Sequence, residues 1–497
     1  MLFPTTEFAL FFAATLLLWW GVPGSFPRVR KFILLAANIA FYCVWSWRFA
    51  LLLLATAAVN HGLAILAARR HAPGRAAAVA VAVNLALLAF FKYAGFLFAS
   101  FVAPAGAWIC GAFLPPEAAE AWADFQFDHA FPFISSIILP IGISFTTFSA
   151  IAYVVDAARG TFRPAKSLLD CLNYFAFFPK LCAGPIVRPA DILPDLEEPP
   201  AALPGSAKSS FARAIVLVAV GLLKKTIVAN VLAQRLVDPV FTGPEGFGAI
   251  DALLAVYGYT IQIYCDFSAY TDIAIAVALL MGFRLPINFD APYIATSLQG
   301  FWRGWHISLS TWLRDYLYIP MGGSRCAKWR VNLNLVVTML LGGLWHGAGW
   351  TYILWGAIHG VAQVIERPFN RKRAPGEPGP SRAILFLRGL VTFHVVAFAW
   401  IFFRAGAGDV EGMRTVSAIF SAFRNWAAPA TLCSATIVVM LVLGFVAQFA
   451  DADRLAPVVR RFARLPAPLL AIAAALVLTI VLGFGPRGIA PFIYFQF

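Results

Sequence analysis

Charge is what this chain has least of. Only 12% of its 497 residues are Asp, Glu, Lys or Arg. An ordinary soluble surface carries about twice that share, so a soluble globular protein is excluded. Acidic residues are the scarcer sign, 24 against 38 basic ones, for a net charge of +14. The basic residues do not form a stripe. They sit in short segments between apolar runs, which is the pattern of cytoplasmic loops and not of a nucleic-acid surface. The seven cysteines (43, 110, 171, 182, 265, 326 and 433) have no CxxC pairing and no histidine at metal spacing. A metal centre is not expected, and these thiols read as small hydrophobes. No glycine-rich phosphate loop follows a strand pattern, so nucleotide hydrolysis has no support. There is no tandem repeat and no segment long enough for a soluble catalytic domain. Before the first apolar run there is neither a basic n-region nor a small-residue cleavage site, so that run reads as a retained span.

What the chain has in abundance is apolar surface. Hydrophobic residues make up 61%, with 46 Phe and 15 Trp, as suits side chains in lipid and at its interfaces. The expected class is an all-α polytopic membrane protein, one integrated domain over 1–497. Apolar runs place spans at about 6–22, 32–47, 49–68, 77–102, 137–157, 211–232, 250–282, 331–345, 351–366, 385–403, 432–450 and 467–484. The Lys/Arg asymmetry puts both termini outside, with the acidic loop 103–136 also outside. The 250–282 run exceeds one straight crossing of about 20 residues, so a tilt, or a break near Gly258 or Cys265–Asp266, is expected. Residues 168–189, interrupted by Pro179, Lys180, Gly184 and Pro185, read as a re-entrant or interfacial segment. Residues 190–210 read as a surface loop. The 331–345 run, about 15 residues, rises about 22 Å and should stop inside a core about 30 Å thick. The turn after it, GLWHGAGW, would then be a bend at membrane depth, tolerated only against protein or a cavity.

That bend carries His346 among Gly342, Gly343, Trp345, Gly347, Gly349 and Trp350. A neutral imidazole there can take a proton from a hydroxyl that attacks an ester or thioester. The alternative is a bend histidine that bonds a carbonyl. His306, in FWRGWHISL, is a second candidate beside Trp302, Arg303 and Trp305, with an interfacial aromatic anchor as its alternative. Ionisable groups at membrane depth are rare and usually functional. Asp266 and Asp272 either pair with a Lys or Arg or line the cavity. Lys92 reads as structural, with lining the cavity or orienting a histidine as its alternative. His359, mid-span, reads as a packed histidine that bonds a neighbouring helix. Arg314 and Asp315 either form a local pair or orient a catalytic group. Lys180, Arg325 and Lys328, on the inner side, enforce topology or hold the phosphates of an acyl donor. A transporter for a lipid-linked saccharide also suits broken helices and intramembrane acids.

The stretches FWRGWHISLSTWLRDYLYIPMGG and GGLWHGAGWTYILWGAIHG resemble the membrane-bound O-acyltransferase superfamily. The nearest branch is that of alginate O-acetylation membrane proteins and teichoic-acid D-alanyl transfer proteins. FKYAGFL (91–97), LPIGISFTTFSAIAYVVD (139–156), FFPKLCAGPIVRP (177–189), YCDFSAYTDIAIAVALLMGFRLPINFDAPY (264–293) and the terminal FIYFQF extend it over most of the chain. The resemblance implies a ring of about twelve helices, with re-entrant segments, around a central funnel or tunnel, and a catalytic core at about 139–366. It implies that His346 and His306 are catalytic, with Trp302, Arg303, Trp345, Asp266, Arg314 and Asp315 along the acyl channel. It implies a bacterial inner-membrane enzyme with no tightly bound cofactor. Such an enzyme moves an acyl group from acetyl-CoA or another cytoplasmic thioester towards an exported polysaccharide, through a periplasmic acetyltransferase-type partner. Transfer of D-alanyl or another acyl group to an envelope polymer is the neighbouring alternative.

Overall fold

The computed structural model describes residues 3, 5–69, 73–113, 139–370, 379–406, 409–450 and 454–484. The acidic loop beyond 113, the Arg371–Lys372–Arg373 cluster, His71, His129 and the FIYFQF motif lie outside the described residues. Among the described residues the regular structure is entirely helical. Five helices are long and apolar enough to cross a membrane: Trp47–Ala67, Gly74–Gly106, Ala207–Thr242, Ala249–Leu280 and Arg382–Ala405. Shorter apolar helices at Thr6–Gly21, Ala435–Ala447 and Ala467–Leu476 join them. The protein is therefore an all-α, multi-pass membrane protein.

The centre is the Ala249–Leu280 helix, 32 residues without interruption. The expected break at Gly258 or Cys265–Asp266 does not occur. Gly258 instead lets the Leu236 side chain sit against the backbone, and the helix lies almost wholly inside protein. At 1.5 Å per residue it is about 48 Å long, so it outruns a straight crossing. Its last carbonyls, which have no partner within a helix, accept from indoles. Trp19 Nε1 donates to Met281 O and Trp20 Nε1 to Leu280 O, both at 2.9 Å.

Two of the three acids of this helix, Asp266 and Asp272, meet lysines of the neighbouring 207–242 helix, which carries π-helical turns at Leu223–Ala229 and Ala233–Val237. Lys225 Nζ lies 2.8 Å from Asp266 and Lys224 Nζ 2.9 Å from Asp272. A buried charge without a partner costs several kcal/mol on the order-of-magnitude scale, and these two pairs remove that cost.

Residues 168–189 form no helix long enough to cross a membrane. Helix Leu168–Ala176 and the short turn Phe178–Leu181 lead into non-helical backbone at 182–187, which is buried in the protein. The expected loop at 190–210 begins instead as a helix, Pro189–Glu197, with Ile192, Leu193 and Leu196 buried. Pro189 sits in its first turn, where the missing N–H is harmless.

Two helices form a tight hairpin, Lys328–His346 and Trp350–Glu366. The first has 19 residues, longer than the run of about 15 expected from the sequence, which makes it about 28 Å long. Glycine sets how closely the two pack. A Cβ at Gly343 would overlap the Tyr352 carbonyl oxygen, one at Gly356 the Met339 carbonyl oxygen, and one at Gly360 would lie 2.9 Å from Val336 Cα. Gly356 and Gly360 are the small-xxx-small pair that lets membrane helices approach backbone to backbone.

Candidate functional site

The hairpin presents His346 at the last residue of its first helix, followed by extended backbone at Gly347. The final carbonyls of a helix have no intrahelical donors and carry its negative dipole end. Here they are met from the Gly74–Gly106 helix. Lys92 Nζ donates to Trp345 O at 2.6 Å and to His346 O at 2.9 Å, and Tyr93 Oη donates to Leu344 O at 2.7 Å. Three successive carbonyls are thus held by two adjacent side chains. Lys92 ties two helices together, and the backbone it holds is that of His346. Nothing in the sequence links positions 92 and 346.

His346 is buried, at 4% exposure, and His306 fully so, at 0%. Trp345 lies between them. Its ring centroid is 4.9 Å from that of His346 and 6.3 Å from that of His306. Trp345 is itself fixed by a column of rings, stacked 5.0 Å from Phe148, which stacks 3.7 Å from Trp312. Trp312 Nε1 donates to Phe148 O at 3.0 Å, which locks the column. The fold therefore brings the two histidines singled out in the sequence into one cluster.

His306 sits in the left-handed region, with φ of 42°, at the start of helix Ile307–Leu313. A non-glycine residue in that region costs about 1–3 kcal/mol. The surroundings hold it there: Ile307 N donates to Asn288 O at 3.0 Å, Ser310 N to His306 O at 2.9 Å, and Phe267 meets the imidazole edge to face at 4.6 Å. Neither ring nitrogen of His306 has a hydrogen-bond partner among the described residues.

A cleft of about 400 Å³ opens beside this cluster. Trp302, Arg303 and Arg314 line it, together with Gln299, Tyr318 and Gln363. Its rim is polar and basic, and its wall includes Leu313, Leu335 and Met339. Trp302 reaches inward from the cleft to Trp355, with ring centroids 5.7 Å apart, and Trp355 meets His346 edge to face at 5.1 Å.

The remaining candidates divide. Asp315 bonds Arg314 at 2.7 Å and Arg188 at 3.1 Å. Arg188 also stacks over Tyr316, whose hydroxyl donates to Asp156 at 2.5 Å. Arg314 and Asp315 thus belong to a polar cluster at the cleft's edge, whose bonds run among its own members. Asp266 is held by Lys225. Arg325 and Lys328 are exposed. Lys180 is not with them. It is 5% exposed, and its ammonium lies 3.7 Å from the centre of the Tyr174 ring. Lys180 is thus set in the interior while Arg325 and Lys328 lie on the surface, so the structure does not bring the three together. His359 also departs from expectation, since no hydrogen bond ties its ring to a neighbouring helix among the described residues.

The model of the membrane-bound O-acyltransferase family matches residues 162–403, a span that contains both histidines and the cleft. The probable alginate O-acetylase AlgI of Azotobacter vinelandii is 38% identical over 403 residues, 80% of this chain and 74% of that protein. The protein of the same name from Pseudomonas aeruginosa is 38% identical over 431 residues, 86% and 76% of the two chains. The peptidoglycan O-acetyltransferase of Helicobacter pylori is 31% identical over 407 residues, 76% and 72% of the two chains. This chain belongs to the membrane-bound O-acyltransferase family and is an O-acyltransferase.

Proposed function

We propose that the chain O-acetylates an exported polysaccharide, alginate or another exopolysaccharide, from the bacterial inner membrane. The names of the relatives support an acetyl group and an extracytoplasmic polymer as acceptor. The observation that carries the reading is the placement of His346. It is a buried imidazole on a backbone held from outside its helix, beside a second buried imidazole and a basic-rimmed cleft. The cleft takes the donor, acetyl-CoA or a related thioester, with Arg303 and Arg314 at its rim suited to anionic groups. Both chain termini face the outside.

His346 acts as general base. It accepts the proton of the acceptor hydroxyl as that oxygen bonds the thioester carbonyl carbon. The C–S bond then breaks, and the proton passes to the leaving thiolate. His306 orients the acyl group next to Trp345. The acceptor hydroxyl belongs to the sugar or to a serine of a periplasmic acetyltransferase-type partner. Rigid positioning of the reacting groups supplies much of the rate in such a transfer.

The test is polymer acetylation in a null strain complemented with wild type, His346→Ala or His306→Ala at matched membrane levels. Both variants are expected to export normal amounts of unacetylated polymer. Wild-type acetylation in His346→Ala would end this mechanism. Loss of polymer export in the null strain would favour a transporter.

A further inference from the structure

Acyl transfer by His346 and His306 leaves the buried imidazole of His359 unused. His359, on the Trp350–Glu366 helix, is 0% exposed. Its ring packs edge to face on Trp355 at 4.9 Å and on Trp302 at 5.2 Å, and stacks 6.0 Å from Phe301. Neither ring nitrogen has a hydrogen-bond partner among the described residues. A buried donor or acceptor without a partner costs stability, and phenylalanine would fill the same aromatic box without that cost. Packing therefore does not account for an imidazole here.

The unpaired groups around it form a series. Gln363 is one turn further along the same helix and lines the cleft, and its Nε2 is buried and unpaired. Trp302 lines the cleft too, and its Nε1 is unpaired. Trp355 Nε1 is likewise unpaired, and Trp355 touches both His359 and His346. The series runs from the cleft through Trp302 and His359 to Trp355, which touches His346. Every member has an N–H to donate, an imidazole in either tautomer included. The two indoles and Gln363 Nε2 can only donate, while the imidazole adds one acceptor nitrogen, so the series calls mainly for acceptors from a ligand. The cleft itself has apolar wall residues, Leu335 and Met339 among them. The matching ligand is a slender chain that is apolar between carbonyl oxygens.

We propose that His359 is a second substrate-contacting histidine, which with Trp302 and Gln363 hydrogen-bonds the carbonyl-bearing arm of the acyl thioester donor between the cleft and His346. This rests on the reading of the cleft as the donor site. Amide and thioester carbonyls of one extended arm satisfy the series in order. The Trp302 ring lines the cleft and meets His359 at 5.2 Å, so it is the contact between the two.

The experiment measures acetyl-CoA binding by the purified full-length protein, with thermal unfolding of the same samples. His359→Phe keeps the ring and removes the hydrogen bonds, while His359→Gln restores a donor and an acceptor. His359→Phe is expected to weaken acetyl-CoA binding about tenfold, the size of one lost hydrogen bond to a buried partner. Its unfolding temperature is expected to equal or exceed that of wild type, and His359→Gln to bind within about threefold of it. Unchanged binding in His359→Phe overturns the proposal. So does a His359→Phe protein that unfolds earlier or fails to fold, since the imidazole would then be structural. A wild-type protein that binds no acetyl-CoA overturns the donor reading itself, a different failure from that of His359.

Discussion

The ammonium of Lys92 is bonded to the backbone of His346: it donates to the carbonyls of Trp345 and His346 at 2.6 and 2.9 Å. A cation at the C-terminal end of a helix meets both its unpaired carbonyls and its dipole. The bend that presents His346 is thus held by a residue 254 positions away in sequence.

Lys92→Met should leave the protein inserted in the membrane but cut polymer acetylation at least about tenfold, because two charge-assisted hydrogen bonds, worth about 1.5–3 kcal/mol each, are lost from the His346 backbone. Lys92→Arg keeps the charge and should retain part of the activity. Acetyl content of polymer from complemented cells, normalised to membrane protein level, checks this. Wild-type acetylation in Lys92→Met would show that the bend holds itself.

His306 separates conformation from chemistry. Its φ of 42° is tolerated by Asn and resisted by β-branched residues. His306→Asn should fold as well as wild type and lose acetylation. His306→Val should lose acetylation and also about 1–3 kcal/mol of stability. Unfolding in detergent, followed by fluorescence or size exclusion, tells the two apart.

The ion pair between Lys225 and Asp266 should behave as a packing device. Asp266→Asn alone strands a buried ammonium and should destabilise the protein by about 3–5 kcal/mol. Lys225→Met combined with Asp266→Leu should recover most of that stability, since well-packed apolar replacements of buried pairs are often neutral. A double variant that is stable but inactive would instead give Asp266 a place in the reaction.

Gly356→Leu should push the hairpin helices apart, because a Cβ at that position already overlaps the Met339 carbonyl oxygen. Overpacking of this kind costs about 1–3 kcal/mol, and here it also displaces His346 and His359. The expected outcome is a lower unfolding temperature together with reduced acetylation. Val361, on the same helix, is exposed. Val361→Leu is therefore the control, and should change neither.

Composition and spacing determined a good deal by themselves. Scarce charge and long apolar runs set a multi-pass helical membrane protein, since only helices or closed barrels satisfy backbone polar groups in lipid. Two histidines in glycine- and tryptophan-rich turns marked the site, because an imidazole stands out where almost nothing else titrates. The Pro189–Glu197 helix was hidden by its prolines, and the length of the 249–280 helix left a tilt and a break both open until the structure showed it unbroken. What only the tertiary structure decided is which distant groups meet. Lys92 and His346, Lys225 and Asp266, Trp302 and His359 are joined by packing between different helices, and local periodicity carries no record of such partners. Burial decided the rest: it took Lys180 away from the surface and left His359 enclosed without a hydrogen bond, two outcomes set by what surrounds each residue in space.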